Sequence, residues 1–147
     1  MELRYKSYYI CYELNRNKEI MNTITSPTAA ELEVLQILWE NGPQTVRYVN
    51  DALNKIKGEV GYTTTLKTMQ NMLDKGILSR EIIDRMHIYT PAQPKEVTQT
   101  QLLQGFVETT YRGSAASLVL QALGNAETSP EELQKIKELI NSLENNQ

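Results

Sequence analysis

Apolar residues recur at helical spacing in two segments that follow Ser26. In the first segment, Ser26 is the expected N-cap, Pro27 suits the first turn, and the tripeptide NGP at 41–43 stops the helix. In the second segment, Thr45 is the expected N-cap. The positions predicted to face the core are Leu32, Leu35, Ile37, Leu38 and Trp39 in the first helix, and Val46, Val49, Leu53 and Ile56 in the second.

A third helical pattern opens with hydroxyl side chains, in the stretch YTTTLKTMQNMLDKG. Threonine is a mediocre helix former because its branched Cβ restricts χ1, so the run at 63–65 is unexpected at a helix start. The apolar spacing is nevertheless helical, and Gly76 is the expected C′ residue. Leu66, Met69, Met72 and Leu73 should face the first two helices, and the opposite side should carry Thr63, Thr64, Lys67, Gln70 and Asn71.

After Gly76 the pattern changes to that of two short strands. The segment ILSREIIDRMHIYTP holds β-branched and aromatic residues in two runs that Asp84-Arg85 separates, and Pro91 ends the second run. This arrangement predicts a β-hairpin.

From Pro94 onward the pattern is helical again, in three segments. A long helix should end near Gly113, a short helix should break at Gly124, and Thr128 or Ser129 should cap the last helix. About fifty residues are too few to bury three apolar stripes alone, so a second copy of the chain is the expected partner. The alternative is a monomer that folds these stripes onto its own N-terminal part. The residues predicted to form the dimer interface are Leu102, Leu103, Phe106, Val107, Leu118, Leu133, Ile136 and Ile140.

Three helices followed by a two-stranded hairpin is the order of a winged helix-turn-helix, whose third helix enters the major groove of DNA. The sequence therefore predicts a mainly α fold with a small β-hairpin, comprising a winged helix DNA-binding domain at 24–92 and a helical dimerisation domain at 93–147. Short hydroxyl side chains in the first turn of the third helix would allow close approach to bases and phosphates. The residues predicted to contact DNA are Thr45, Arg47, Thr63, Thr64, Lys67, Asn71, Arg85, His87 and Tyr89.

The charge balance of the predicted DNA-binding domain argues against strong DNA binding by a single domain. The chain has a formal net charge of −3, and residues 22–92 hold seven Lys or Arg against eight Asp or Glu. One such domain should bind DNA weakly, whereas a dimer that reads two half-sites would compensate by linking two binding events. The alternative is a winged helix that serves protein interaction, which predicts a neutral or acidic surface over 63–71 and no salt-dependent DNA binding.

Composition argues against an enzyme, a metal site and a membrane protein. The single cysteine, Cys11, fits a reducing compartment, and with the single histidine, His87, it supplies neither a zinc set nor a framed nucleophile–base pair. No apolar run is long enough for a transmembrane helix, and the charged N-terminus lacks the apolar core of a secretory signal. The expected location is the cytoplasm, and no cofactor or metal is expected.

Residues 1–23 differ in composition from the rest and are predicted to be an extension. Four of the eight tyrosines lie in this segment, at Tyr5, Tyr8, Tyr9 and Tyr12. Met21 is a candidate translation start, and the alternative is an ordered extension that buries its tyrosines. The intact mass of the native protein distinguishes the two.

Four segments, in order over residues 25–143, carry a resemblance to a known family: PTAAELEVLQILWENGPQTVRYVNDAL, GYTTTLKTMQNMLDKGILSREIIDRMHIYTPA, YRGSAASLVLQAL and TSPEELQKIKELI. They come from both predicted domains, and they resemble the penicillinase repressor family, which includes the β-lactamase and methicillin-resistance repressors. Family members typically show YTTV in the third helix, a KG turn and a wing that ends in Y-x-P. Asn71 departs from the family pattern, because many members have a basic residue there.

The resemblance implies a homodimeric transcriptional repressor that occupies a palindromic operator in double-stranded DNA. It also implies relief of repression through a membrane-bound sensor with a metalloprotease domain. The cleavage maps to Gly105-Phe106, where this sequence departs from the better-studied members. The copper-responsive branch of the family has cysteines near the C-terminus; residues 93–147 contain none, so copper sensing of that type is not expected.

Overall fold

The structure is a computed structural model that describes residues 26–147. The predicted N-terminal extension, with its tyrosines and the candidate start at Met21, lies outside the described residues. The chain divides into two compact units between Thr98 and Gln99. In chain order the elements are α1 (Ala29–Asn41), α2 (Val46–Lys57), α3 (Tyr62–Asp74), β1 (Leu78–Ile83), β2 (Met86–Pro91), α4 (Lys95–Tyr111), α5 (Ala115–Asn125) and α6 (Pro130–Asn145).

The start of α1 is capped by Thr28, so the prediction of Ser26 as the N-cap was wrong. Thr28 Oγ1 accepts a hydrogen bond from the Glu31 backbone N–H (3.3 Å), and Glu31 Oε2 accepts one from the Thr28 N–H (2.8 Å). This capping box satisfies two free backbone donors at once, which a serine two residues earlier could not do. Gly42, with φ +76°, ends the helix as expected.

Thr45 caps α2, as predicted, by accepting a hydrogen bond from the Tyr48 N–H (3.2 Å). The helix buries Val46, Val49 and Leu53. Ile56, in contrast, is 74% exposed, so its predicted place in the core was wrong. It lies in the last turn of α2, where the chain leaves the core toward Gly58.

A Schellman motif ends α3. The Ile77 N–H donates to Met72 O (2.9 Å), and the Gly76 N–H donates to Leu73 O (3.0 Å). Gly76 has φ +76°, a left-handed conformation that costs glycine little, which confirms its predicted role as the C′ residue. The buried side chains of Ile77 and Met72 belong to the same core cluster, as is common in this motif.

Strands β1 and β2 form the predicted antiparallel hairpin, paired from Leu78 with Pro91 to Ile83 with Met86. Asp84 (φ 49°) and Arg85 (φ 65°) both have positive φ, which is typical of a type I′ turn. At the base of the hairpin, the backbone of Tyr89 exchanges two hydrogen bonds with Gln44, at 2.9 and 3.1 Å. The wing is thereby tied to the loop between α1 and α2.

The core of the first unit lies between α1, α2, α3 and the base of the hairpin. Leu32, Trp39, Leu66 and Leu73 are partly buried against it. The buried apolar members are Val34, Leu35, Ile37, Leu38, Val46, Val49, Leu53, Met69, Met72, Ile77, Leu78 and Tyr89.

A buried ion pair joins the start of α1 to the end of α3. Lys75 Nζ lies 2.7 Å from Glu31 Oε1. Burial raises the pKa of the Glu31 carboxyl, but the hydrogen bonds from Lys75 and from the Thr28 N–H, with the positive charge of Lys75, outweigh burial and hold that pKa below its usual value. The pair therefore keeps a carboxylate charged inside the first unit.

In the second unit, serine side chains cap both α5 and α6. Ser114 Oγ accepts from the Ser117 N–H (3.2 Å), and Ser129 forms a capping box with Glu132. The cap at Ser129 is one of the two that the sequence predicted. No helix within residues 26–147 combines the length and the apolar character needed to cross a membrane.

Candidate nucleic-acid interface

The threonine run at the start of α3 is divided between the core and the surface. Thr65 is buried, and its Oγ1 accepts a hydrogen bond from the Asn50 side-chain amide (2.9 Å). Thr63 and Thr64 are exposed. No role was predicted for Thr65 from the sequence. Its spacing of four and seven residues from Met69 and Met72 nevertheless places it on the buried side of α3.

The exposed side of α3 presents polar groups of the kind that contact nucleic acid. The helix begins after Gly61, and no side chain caps it. The exposed side lies opposite Met69 and Met72, as predicted, and it carries hydroxyls, one ammonium group and two side-chain amides. Such groups can donate to or accept from base edges and phosphates. Its members are Thr63, Thr64, Lys67, Gln70 and Asn71.

An open cleft of roughly 410 Å³ lies between the N-terminal end of α2, the α3 helix and the hairpin. The Arg47 guanidinium carbon lies 5.7 Å from the centroid of the Tyr62 ring, which is within the range of a cation–π contact. The cleft thus brings together four of the residues predicted to contact DNA, which are Thr45, Arg47, His87 and Tyr89. Among the described residues, its lining is Thr45, Val46, Arg47, Tyr62, Leu66, Gln70, Arg80, Met86, His87 and Tyr89.

The charge of the cleft lining is positive, although the domain as a whole is slightly acidic. Arg47 and Arg80 line the cleft, and none of the residues within 26–147 that line it carries a carboxylate. In the hairpin register, Arg80 pairs with Tyr89 while Glu81 pairs with Ile88, so Glu81 lies on the opposite face of the wing. The acidic residues that lower the net charge of the domain are therefore not concentrated at the cleft.

Two ion pairs away from the cleft neutralise two lysines together with two glutamates, which leaves the net charge of the domain unchanged. Lys75 pairs with Glu31, and Lys57 pairs with Glu33. Within residues 26–147, no ion pair engages the four basic side chains at or near the cleft and α3, which are Arg47, Lys67, Arg80 and Arg85.

Two wing residues differ from expectation. Tyr89 is only 2% exposed, and its ring belongs to the core, so the expectation that it faces DNA is corrected. The reason is its pairing with Gln44, which fixes this part of β2 against the α1–α2 loop. Arg80 lies two positions after Leu78 on the same strand face of the wing, where phosphate contacts were expected, but it was left out of the residues predicted to contact DNA. Arg85 lies at the tip of the turn and is exposed.

The second unit exposes four of the eight apolar side chains that were predicted to form a dimer interface. Neither α5 nor α6 has a buried residue. Leu103 is 54% exposed and Phe106 48%. Leu133 and Ile140 are likewise exposed, whereas Leu102, Val107, Leu118 and Ile136 are partly buried.

The predicted cleavage position lies within a helix. Gly105 and Phe106 are both exposed residues of α4. A protease binds an extended peptide, so hydrolysis of this bond requires local unwinding of α4. Within residues 26–147, no group of His, Cys, Asp and Glu side chains is arranged to hold a metal ion.

Comparison with known proteins identifies the family. A sequence model described as penicillinase repressor matches residues 27–142. The penicillinase repressor of Bacillus licheniformis is 28% identical over 129 residues, which span 85% of this chain and 97% of that protein. The resemblance inferred from the sequence is thereby confirmed, and so is the winged helix fold class.

Two solved structures are similar at a lower level. A MarR family protein from Bacillus stearothermophilus has a TM-score of 0.44 and 19% identity, over 99% of this chain and 92% of that chain. AbfR of Staphylococcus epidermidis has a TM-score of 0.41 and 16% identity, over 98% of this chain and 95% of that chain.

Proposed function

Since the chain belongs to the penicillinase repressor family and is a transcriptional repressor of the winged helix type, we propose that it acts as a homodimer on a palindromic promoter operator. Repression is steric in this proposal, because a dimer that covers the promoter excludes the polymerase. The observation that carries the proposal is the cleft beside the exposed side of α3, whose described lining includes Arg47 and Arg80 and no carboxylate.

In the proposed complex, the first turn of α3 enters the major groove. Thr63 and Thr64 approach the base edges, because their short side chains allow the helix to lie close to the duplex. Lys67 and Asn71 follow one and two turns later on the exposed side. These positions are spaced so that a helix lying in the groove can present them together.

The elements beside α3 contact the phosphates. Thr45 and Arg47 lie at the start of α2, and the contact of Arg47 with the Tyr62 ring holds its guanidinium at the cleft. Arg80, Arg85 and His87 serve the wing. These contacts fix the register of the protein on DNA and give the complex its salt dependence.

Dimerisation supplies the affinity that one domain of this charge balance lacks. Binding of one half-site by a dimer makes the second event intramolecular, which raises the overall affinity without new contacts. The exposed apolar side chains of the second unit, which include Leu103 and Phe106, support a second copy of the chain as their partner.

We also propose that proteolytic cleavage of the chain relieves repression. A membrane sensor with a metalloprotease domain would trigger hydrolysis near Gly105-Phe106. Glycine in a helix interior costs about 1 kcal/mol relative to alanine, which eases the local unwinding of α4 that hydrolysis requires. The mass of the repressor recovered from induced cells tests this step. The expected result is a fragment that ends at Gly105, and recovery of intact chain alone would contradict cleavage.

A protein-interaction module without DNA binding is the alternative function. It predicts a neutral or acidic surface over 63–71. That stretch contains Lys67 and no carboxylate, and the adjoining cleft adds Arg47 and Arg80. These charges support DNA as the partner.

Fluorescence anisotropy of a labelled duplex from the promoter of the chain's own gene tests the proposal. The expected result is saturable binding that resists an excess of scrambled duplex and weakens as salt rises. Arg47→Ala should weaken binding, whereas Lys57→Ala, which removes an ion-paired lysine that is absent from the cleft lining, should leave it unchanged. Equal affinity for promoter and scrambled duplexes would contradict operator recognition.

A further inference from the structure

A buried hydrogen-bond network joins α2 to the α2–α3 turn and to the first turn of α3. The Asn50 amide donates both of its protons, to Thr65 Oγ1 (2.9 Å) and to Val60 O (2.9 Å). Asn54 completes the network by donating to Val60 O (3.2 Å) and accepting from the Val60 N–H (2.6 Å). Asn50 and Thr65 are buried, so their bond is shielded from exchange with water.

The orientation of α3 about its own axis depends on this network. No side chain caps the helix at Gly61, so the first turn has no polar anchor of its own. Met69 and Met72 hold the middle of the helix through apolar contacts, which are not directional. The bond from Asn50 to Thr65 is directional, and it acts on the residue that directly follows Thr63 and Thr64.

Small rotations of α3 would matter at the DNA. Side chains extend to about 5–6 Å from a helix axis, so a rotation of about 10° moves their ends by about 1 Å. The hydrogen-bond distance between heavy atoms spans only about 0.5 Å, so a shift of this size breaks a base contact. Phosphate contacts by long lysine and arginine side chains tolerate the same shift, because those side chains are flexible.

We propose that Asn50 is a positioning residue for sequence discrimination, which sets the angle of the first turn of α3 and thereby aims Thr63 and Thr64 at the bases. This inference rests on the proposed function, since discrimination presupposes operator binding. Loss of the Asn50–Thr65 bond lowers affinity for the operator and leaves affinity for unrelated DNA unchanged. A network that only stabilises the fold would alter neither affinity in the folded protein.

The double variant Asn50→Leu/Thr65→Val separates positioning from stability. It replaces both partners with apolar side chains of similar shape, an exchange that can be nearly neutral for stability. The Val60 carbonyl stays paired, because the Asn54 amide also donates to it. Thr65→Ser is the matched control, since it keeps the hydroxyl acceptor.

Anisotropy titrations compare the promoter duplex upstream of the chain's own gene with a scrambled duplex of equal length. In the double variant, the ratio of the two affinities should fall at least about fivefold, the loss that corresponds to one disturbed base contact. The affinity for scrambled DNA should stay within about twofold of that of the wild type, because the cations are unchanged. Thr65→Ser should keep the wild-type ratio.

Folding of each variant is checked by the fluorescence of Trp39 in urea. Thr65→Val alone, which keeps the branched shape, is the second variant, and it is titrated at a temperature at which it is folded. If the folded double variant or folded Thr65→Val keeps the wild-type ratio of promoter affinity to scrambled-duplex affinity, the positioning role of Asn50 is overturned. Equal affinity of the wild type for both duplexes is a different result: it overturns the proposed function, and this inference falls with it.

Discussion

Replacement of Lys75 by methionine should destabilise the first unit in a pH-dependent manner. Lys75 Nζ lies 2.7 Å from Glu31 Oε1, and the Glu31 side chain is only 6% exposed against 30% for Lys75. Loss of one partner from a buried pair leaves a charge without compensation, at a cost of about 3–5 kcal/mol. Because Lys75 is partly exposed and Glu31 keeps its bond from the Thr28 N–H, we expect about 2–3 kcal/mol near neutral pH.

The sign of the pH dependence follows from the Glu31 pKa. In the wild type this pKa is lowered, so the pair stabilises the fold above the usual carboxyl pKa, and the stabilisation is lost as pH falls through the lowered value. In Lys75→Met, only the hydrogen bonds to Thr28 oppose the effect of burial, so the pKa of Glu31 should rise above its wild-type value. The charge then destabilises the variant above that raised pKa, and protonation relieves the penalty. The stability difference should therefore narrow as pH falls from about 7 to about 4.

Urea unfolding followed by Trp39 fluorescence measures this difference, because Trp39 is the single tryptophan and lies in the first unit. Lys57→Met is the matched control. Lys57 and Glu33 form an equally short pair, at 2.6 Å, but their side chains are 48% and 41% exposed. Loss of such a surface pair should cost less than about 1 kcal/mol. Burial would be refuted as the cause if the two variants lost equal free energies of unfolding, or if the loss in Lys75→Met did not change with pH.

Three further variants test the DNA surface, the wing and the dimer. Lys67→Ala should weaken operator binding and lower the slope of log affinity against log salt by about one, which anisotropy at several salt concentrations measures. Arg85→Gly should raise stability by about 0.5–1 kcal/mol, since glycine adopts the positive φ of the turn without strain, and should weaken DNA binding if the wing contacts phosphate. Leu103→Lys/Phe106→Lys should convert a dimer into a monomer with its helicity retained, as light scattering and circular dichroism would show; an unchanged mass would place the interface elsewhere.

Local signals in the sequence were sufficient for the order of the elements. The change from helical spacing to alternation after Gly76 is visible within a few residues, because both periods are properties of the chain itself. The same holds for the caps at Thr45 and Ser129. At the start of α1 two local signals competed, and the capping box of Thr28 with Glu31 prevailed over Ser26.

Contacts between distant parts of the chain could not be predicted from local sequence patterns. Tyr89 is buried because it pairs with Gln44 in the α1–α2 loop, which a strand pattern does not encode. Asn50 lies fifteen residues before Thr65, and neither residue alone indicates that the two are bonded. The candidate site therefore follows in outline from the exposed side of α3, whereas the anchoring of α3 by Asn50 required the three-dimensional arrangement.

Footprinting of the promoter DNA with hydroxyl radicals tests the central claim most directly. A homodimer with one α3 in each of two major grooves should protect two equivalent half-sites, related by a two-fold axis and separated by a whole number of helical turns. Protection should weaken together at both half-sites when Lys67 is replaced by alanine. Uniform cutting along the promoter, or one protected site without a symmetric mate, would contradict repression by an operator-bound dimer.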